Sequence, residues 1–157
     1  MSEDKPTQAQ AELLLRVYDL RREARLRAGR DWYANNFAPK TMQEMQHLVP
    51  PGSDENAYLR MVVSYWETVC ALLNHGLLHE DLFFETTGEQ YMVWVRVEPI
   101  IADLRTMFSR RAFSHLETAA RKYEKWVEKR EPGHVQRMRQ MMSSPQAMQG
   151  QQPPQES

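Results

Sequence analysis

Apolar side chains recur along this chain at three- and four-residue intervals, the spacing of one face of a helix. Thr7 and Gln10 have capping-box spacing, and Leu13, Leu14, Val17, Tyr18, Leu20 and Ala24 follow at helical intervals, which predicts a first helix running to about Ala28. After it the pattern admits two courses. Either Gly29 ends the helix and Asp31 caps a short continuation through Trp32, Tyr33 and Phe37, or the helix runs through to Asn36 at a cost of about 1 kcal/mol for the glycine. Pro39 forces a break, Thr41 with Glu44 marks a short helix ending near Val49, and Val49-Pro50-Pro51-Gly52 reads as a loop.

The next stretch organises the rest. Ser53 is an N-cap with Asp54 and Glu55 in the first turn, and the helix it opens is apolar nearly all round from Met61 to Leu73, which predicts a place in the middle of a bundle. Gly76 stands where a left-handed residue would close this helix, with Leu77 folding back on Leu72. Glu80 and Asp81, after His79, then sit at the positive end of the following helix, so that Gly76, Leu77, Glu80 and Asp81 form a structural corner. Phe83, Thr87, Tyr91, Trp94, Val97, Ile101, Leu104 and Phe108 predict one long helix, kinked by Pro99. Val93, Val95 and Val97 alternate as a strand would, but five alternating residues are outweighed by the longer periodicity and a lone strand has no partner.

Ser109 is placed to cap a final long helix whose buried stripe is Phe113, Leu116, Ala120, Tyr123 and Val127, with Trp126 beside it and Pro132-Gly133 as the stop. The expectation is an all-α, single-domain bundle of about five helices. Residues 1–6 read as a disordered N-terminus, 7–131 as the helical domain and 132–157 as a flexible Gln/Met/Pro-rich tail, with a transient helix over Val135 to Met142.

Composition narrows the function classes. The polar, acidic start MSEDKPTQAQ lacks the features of a secretory signal and no apolar run approaches the ~18 residues of a membrane span, so a soluble cytoplasmic protein without membrane contact is expected. Cys70 is the single cysteine, which rules out an intrachain disulfide and a multi-cysteine zinc site. The net charge of −1 hides a segregation: residues 1–30 carry +2, residues 31–100 carry −7 and residues 101–140 carry +5. Basic terminal regions thus flank an acidic middle.

The motifs YWE at 65–67, NHGLLHEDL at 74–82, Trp94, VEPII at 97–101 and Leu104-Arg105 together resemble a family of small bacterial helical proteins classed as a domain of unknown function. The resemblance spans about Leu13 to Trp126 and is most specific at the helix–Gly–helix junction around Gly76. The family commonly has an acidic residue where this chain has His79, and some members add an N-terminal membrane helix that is absent here. The resemblance implies a helical fold and assigns no catalytic residue.

The candidate chemistry is weaker than its structural alternatives. His75 and His79 would share a face on a continuous helix and could bind zinc, but Gly76 between them ends the helix and the pair diverges. Glu67, Glu85, Glu89 and Glu98 lack the Glu-x-x-His pairs of di-metal bundles; Glu98 is better read as paired with Arg96, Arg105 or Arg60. Glu67 needs a partner if it faces the core. Cys70 and His75 lie about 140° apart around a helix and do not form a nucleophile and base. No phosphate-binding loop or nucleophile elbow occurs.

A non-enzymatic protein-interaction or self-association module without a cofactor is therefore the leading expectation. Its candidate surface is Trp32, Tyr33 and Trp126 with the adaptable Met138, Met141 and Met142, for which a tail with no role is the alternative. The second expectation is a nucleic-acid-associated regulator using the first and last helices, with Arg110, Arg111, Arg121, Lys122, Lys125 and Lys129 as the basic face. A solvated charged face is the plainer account of those six.

Overall fold

The computed structural model describes residues 4–149. The remaining eleven, which include part of the expected disordered N-terminus and the end of the tail, lie outside the described residues. The protein is all-helical: α1 (Gln8–Leu20), α2 (Ala24–Asn36), α3 (Met42–Leu48), α4 (Asp54–Asn74), α5 (Glu80–Thr86), α6 (Glu89–Val97), a 3-10 turn (Glu98–Ile100), α7 (Ile101–Met107), α8 (Ser114–Arg130), α9 (His134–Met142) and α10 (Pro145–Gln149). The expected count of about five is corrected upward because two predicted long helices are each divided and the described part of the expected tail contains α9 and α10.

Local caps act as the residue types dictate. Thr7 and Gln10 form a full capping box, and Thr41 and Ser53 each accept the amide of the third helical residue. The first division falls at residues 21–23, where no breaker stands. Glu23 caps α2 by accepting from the Arg25 and Leu26 amides, while Arg30 reaches back to the Arg21 carbonyl at the end of α1. Gly29 does not stop α2, which continues to Asn36; a Cβ there would lie 3.4 Å from both Tyr58 and Val62, so glycine allows α2 to approach α4 closely.

The predicted kinked helix over residues 80–108 is three helices and a 3-10 turn. Thr87, in extended conformation, and the Gly88 after it separate α5 from α6, which lets Phe84 and Tyr91 both pack on Tyr123, at 5.1 and 5.3 Å between ring centroids. Pro99 occupies the 3-10 turn, where its missing amide hydrogen costs little, and α7 starts afresh rather than continuing past a kink. Every residue of α6 from Gln90 to Val97 is buried, which explains the valine alternation: α6, more than α4, is the helix surrounded on all sides.

α4 packs against α2 and α8, α6 against α8 and α4, and α9 covers α6 and α8. α9 corrects the expected start of the flexible tail at residue 132, since Met138 is buried in the core cluster and Arg139 is bound on the domain surface. Among the described residues no helix is long and apolar enough to cross a membrane.

Candidate functional site

The corner opens with a left-handed Gly76 (φ +77°), and the Leu77 amide donates to the Leu72 carbonyl while the Gly76 amide donates to that of Leu73, both at 3.0 Å. These are the two bonds of a Schellman stop, although the Leu77 side chain itself is exposed. His79 caps α5, its Nδ1 accepting from the Leu82 amide at 3.2 Å. Its Nε2 donates to the Asp4 carbonyl, so residue 4 is tied to the corner. Asp81 accepts from the Trp126 indole at 2.9 Å and Glu80 lies 4.0 Å from Lys122, which fastens the corner to α8. All four corner residues thus have structural work, and His75 and His79 point to different partners.

The YWE motif is a three-way anchor. Tyr65 donates to the Val17 carbonyl and so fixes α1, and Trp66 is buried at the centre. Glu67 accepts from the His115 and Leu116 amides, at 3.0 and 2.8 Å, and thereby caps α8 from another helix. This long-range cap corrects the assignment of Ser109: α8 begins five residues later, after Phe113 in a left-handed conformation (φ 57°, ψ 27°), and Ser109 instead accepts from the Arg111 amide. Burial, followed by the neighbouring Glu67 charge, pushes the Cys70 thiol well above its usual range, so no thiolate nucleophile is poised there.

The expected aromatic and methionine surface is largely interior. Tyr33 is fully buried and donates to the Val93 carbonyl at 2.7 Å; Trp32 is half-buried against Phe37 and Tyr58. Trp126 is half-buried, with Arg130 3.9 Å over its ring. Met138 is buried, and Met141 and Met142 are half-buried on α9. The tail is held by charge. Arg139 binds Glu98, at 2.7 and 3.2 Å, and Glu124, which corrects the expected pairing of Glu98 with Arg96, Arg105 or Arg60. Arg96, 1% exposed, donates to the carbonyls of Tyr33, Ala34 and Met142, joining the end of α2 to the end of α9.

The basic face is likewise divided. Arg110 and Arg111 precede α8 rather than lying on it, Arg121 is within 3.6–3.9 Å of Glu98, Glu117 and Glu124, and Lys122 is beside Glu80. Lys125 and Lys129 are exposed. The six do not make one free cationic surface. Arg21 and Arg30 converge on Glu89 instead of sharing a solvated face.

What residue patterns missed is a groove of about 470 Å³ along the N-terminal half of α4. Leu59, Val63, Val97 and Leu104 lie along it, with Phe108 and Phe113 at its edge, and its walls are almost wholly apolar. Phe108, expected to continue the periodicity of the long helix, lies just past the end of α7 and is 71% exposed, and Met107 next to it is 55% exposed. Phe113 supplies the turn: a bulky residue with positive φ is uncommon, and here it ends the 108–112 loop beside the groove. A second, open cleft of about 750 Å³ adjoins it through Arg60, Val63, Ala112 and Phe113, and adds Ser64, Glu67, Arg111 and His115. The only sequence signal was the run Met107-Phe108 ahead of Ser109-Arg110-Arg111, apolar residues entering a polar loop.

The described residues thus form an all-helical protein with an apolar groove that carries Arg60 and Arg111 at its margin. The chain belongs to the family described as Domain of unknown function (DUF4760), whose model matches residues 6–126. No curated protein and no solved structure matches it. The matched segment contains α1 to α7 and most of α8, and thus all of the groove, while α9 and its contacts fall beyond it.

Proposed function

We propose that this protein is a non-enzymatic binding module that engages another protein chain through the groove between α3, α4, α7 and the 108–113 loop. The observation that carries this reading is Phe108, 71% exposed at the lip of a 470 Å³ apolar groove. A contiguous apolar surface of that kind is what monomeric soluble proteins rarely leave uncovered. A small solute inside the groove would leave Met107 and the outer face of Phe108 in water, whereas a protein segment can cover both. The near-absence of polar groups in the groove favours burial of a partner's side chains over chemistry. The nucleic-acid reading retains Lys125, Lys129 and the loop pair Arg110 and Arg111, and has less support because Arg121 and Lys122 face acids.

The test is photo-crosslinking in the source cells with a photoreactive amino acid at position 108, and at position 129 as a control about 22 Å along α8. Discrete protein adducts from position 108, identified by mass spectrometry and absent from position 129, are expected. Equal or no adducts at the two positions would overturn the proposal.

A further inference from the structure

The occupant of the groove can be specified, on the reading above that it receives a protein chain. α1 bears apolar exposure that nothing else in the fold explains: Leu15 is 70% exposed and Tyr18 50%. At ~100° per residue, Glu12, Leu15, Tyr18 and Asp19 fall within an arc of about 120° centred on Leu15. The outer face of α1 is therefore an apolar pair flanked by two exposed carboxylates. The groove offers the complement, an apolar channel edged by Phe108 with the exposed guanidinium groups of Arg60 and Arg111 alongside.

We propose that α1 of one copy lies in the groove of a second copy, Leu15 and Tyr18 entering beside Phe108 while Glu12 and Asp19 face Arg60 and Arg111. Helix-in-groove recognition reads anchors at three- and four-residue spacing in this way. Three nearby charges do not oppose it. Glu67, in the cleft, is already engaged by the His115 and Leu116 amides, Arg16 lies about 100° around α1 from Leu15, and Arg21 rests on the Tyr18 ring at 4.9 Å. Residues 150–157 contain no large apolar side chain.

Within one copy the two surfaces are separate. Tyr65 and the Gln10–Gly76 contact fix α1 on the C-terminal half of α4, whereas the groove runs beside Asn56 to Val63. The contact is accordingly heterologous, and it either closes into a ring or extends as a chain of copies.

The experiment uses the full chain in light scattering coupled to size-exclusion chromatography, with Leu15→Arg and Phe108→Glu, both at exposed positions that leave the core intact. The wild type is expected to oligomerise, and each variant alone to fall to the mass of a single chain. An equimolar mixture of the two variants is expected to form a one-to-one pair, because Leu15→Arg keeps a native groove and Phe108→Glu keeps a native α1. A monomeric wild type, an oligomer that survives either substitution, or a mixture that stays monomeric would each overturn the proposal. If position 108 then crosslinks to a different protein, the binding-module reading stands and only the self-recognition falls.

Discussion

Replacing Glu67 with alanine tests the long-range cap of α8, the contact that couples the YWE motif to the loop bearing the groove. Phe113, the residue before α8, supplies no side-chain cap, so the carboxylate is what satisfies the His115 and Leu116 amides. Loss of an N-cap costs about 0.5–2 kcal/mol, and hydrogen bonds to a charged group contribute about 1.5–3 kcal/mol each when buried. Glu67 is only half-buried, and water can replace part of the loss. The expected destabilisation of Glu67→Ala is therefore about 2 kcal/mol, toward the upper end of the capping range. For a chain of this size that lowers Tm by roughly 4–8 °C. Glu67→Gln keeps one acceptor oxygen but no charge and should lose about half as much. Thermal and urea unfolding followed by circular dichroism measure both, and amide exchange at His115 and Leu116 should quicken in the alanine variant. A Glu67→Ala protein that melts within about 1 °C of wild type would refute the cap as a contributor to stability.

Other consequences are equally accessible. A Cβ on Gly76 would meet nothing within 4 Å, so Gly76→Ala isolates the left-handed backbone and should cost about 1–2 kcal/mol, with Gly76→Val costing more; a thermal scan matching wild type for both would show that the corner does not need glycine. Arg139→Ala should loosen α9 at a global cost of about 1 kcal/mol, given the partial exposure of its ion pairs. Limited proteolysis should then cut between residues 131 and 145 sooner, and an unchanged digest would count against the latch. Burial alone would raise the Glu98 carboxyl pKa, but the hydrogen bonds and charge of Arg139, with Arg121 and Trp94, hold it below the usual carboxylate value of 4.5. A depressed folded-state pKa stabilises above the unfolded value and is lost as pH falls through the folded one. Wild type should therefore lose Tm more steeply than Glu98→Gln on acidification below pH 4.5, and parallel profiles would contradict the assignment. The buried Cys70 thiol should react with a disulfide reagent only as fast as the chain unfolds; immediate labelling of the native protein would show that it is accessible.

What the chain settles by itself lies within four or five residues. The Thr7, Thr41 and Ser53 caps, the Gly76 stop and the end of α8 before Pro132 follow from side chains meeting neighbouring backbone, and that chemistry is the same wherever the segment is placed. Periodicity likewise identified the helical class, and rightly kept Val93 to Val97 in a helix. It specified a face and not what that face meets. The turn between α1 and α2 is braced by Glu89, some sixty residues from Arg30, and α9 is held by Glu98, forty-one residues from Arg139. Those acids were visible as residues but not as partners, so the tail looked unattached and Tyr33 and Met138 looked free to bind. The same limit hid the groove, because Leu59, Val97 and Leu104 become one wall only after three helices pack, and Phe108 is exposed only because α7 ends there. Local hydrogen bonding determined the helices and their stops; the assembly of distant apolar faces and charges, whose energies depend on burial, decided which of them became core and which remained open to a partner.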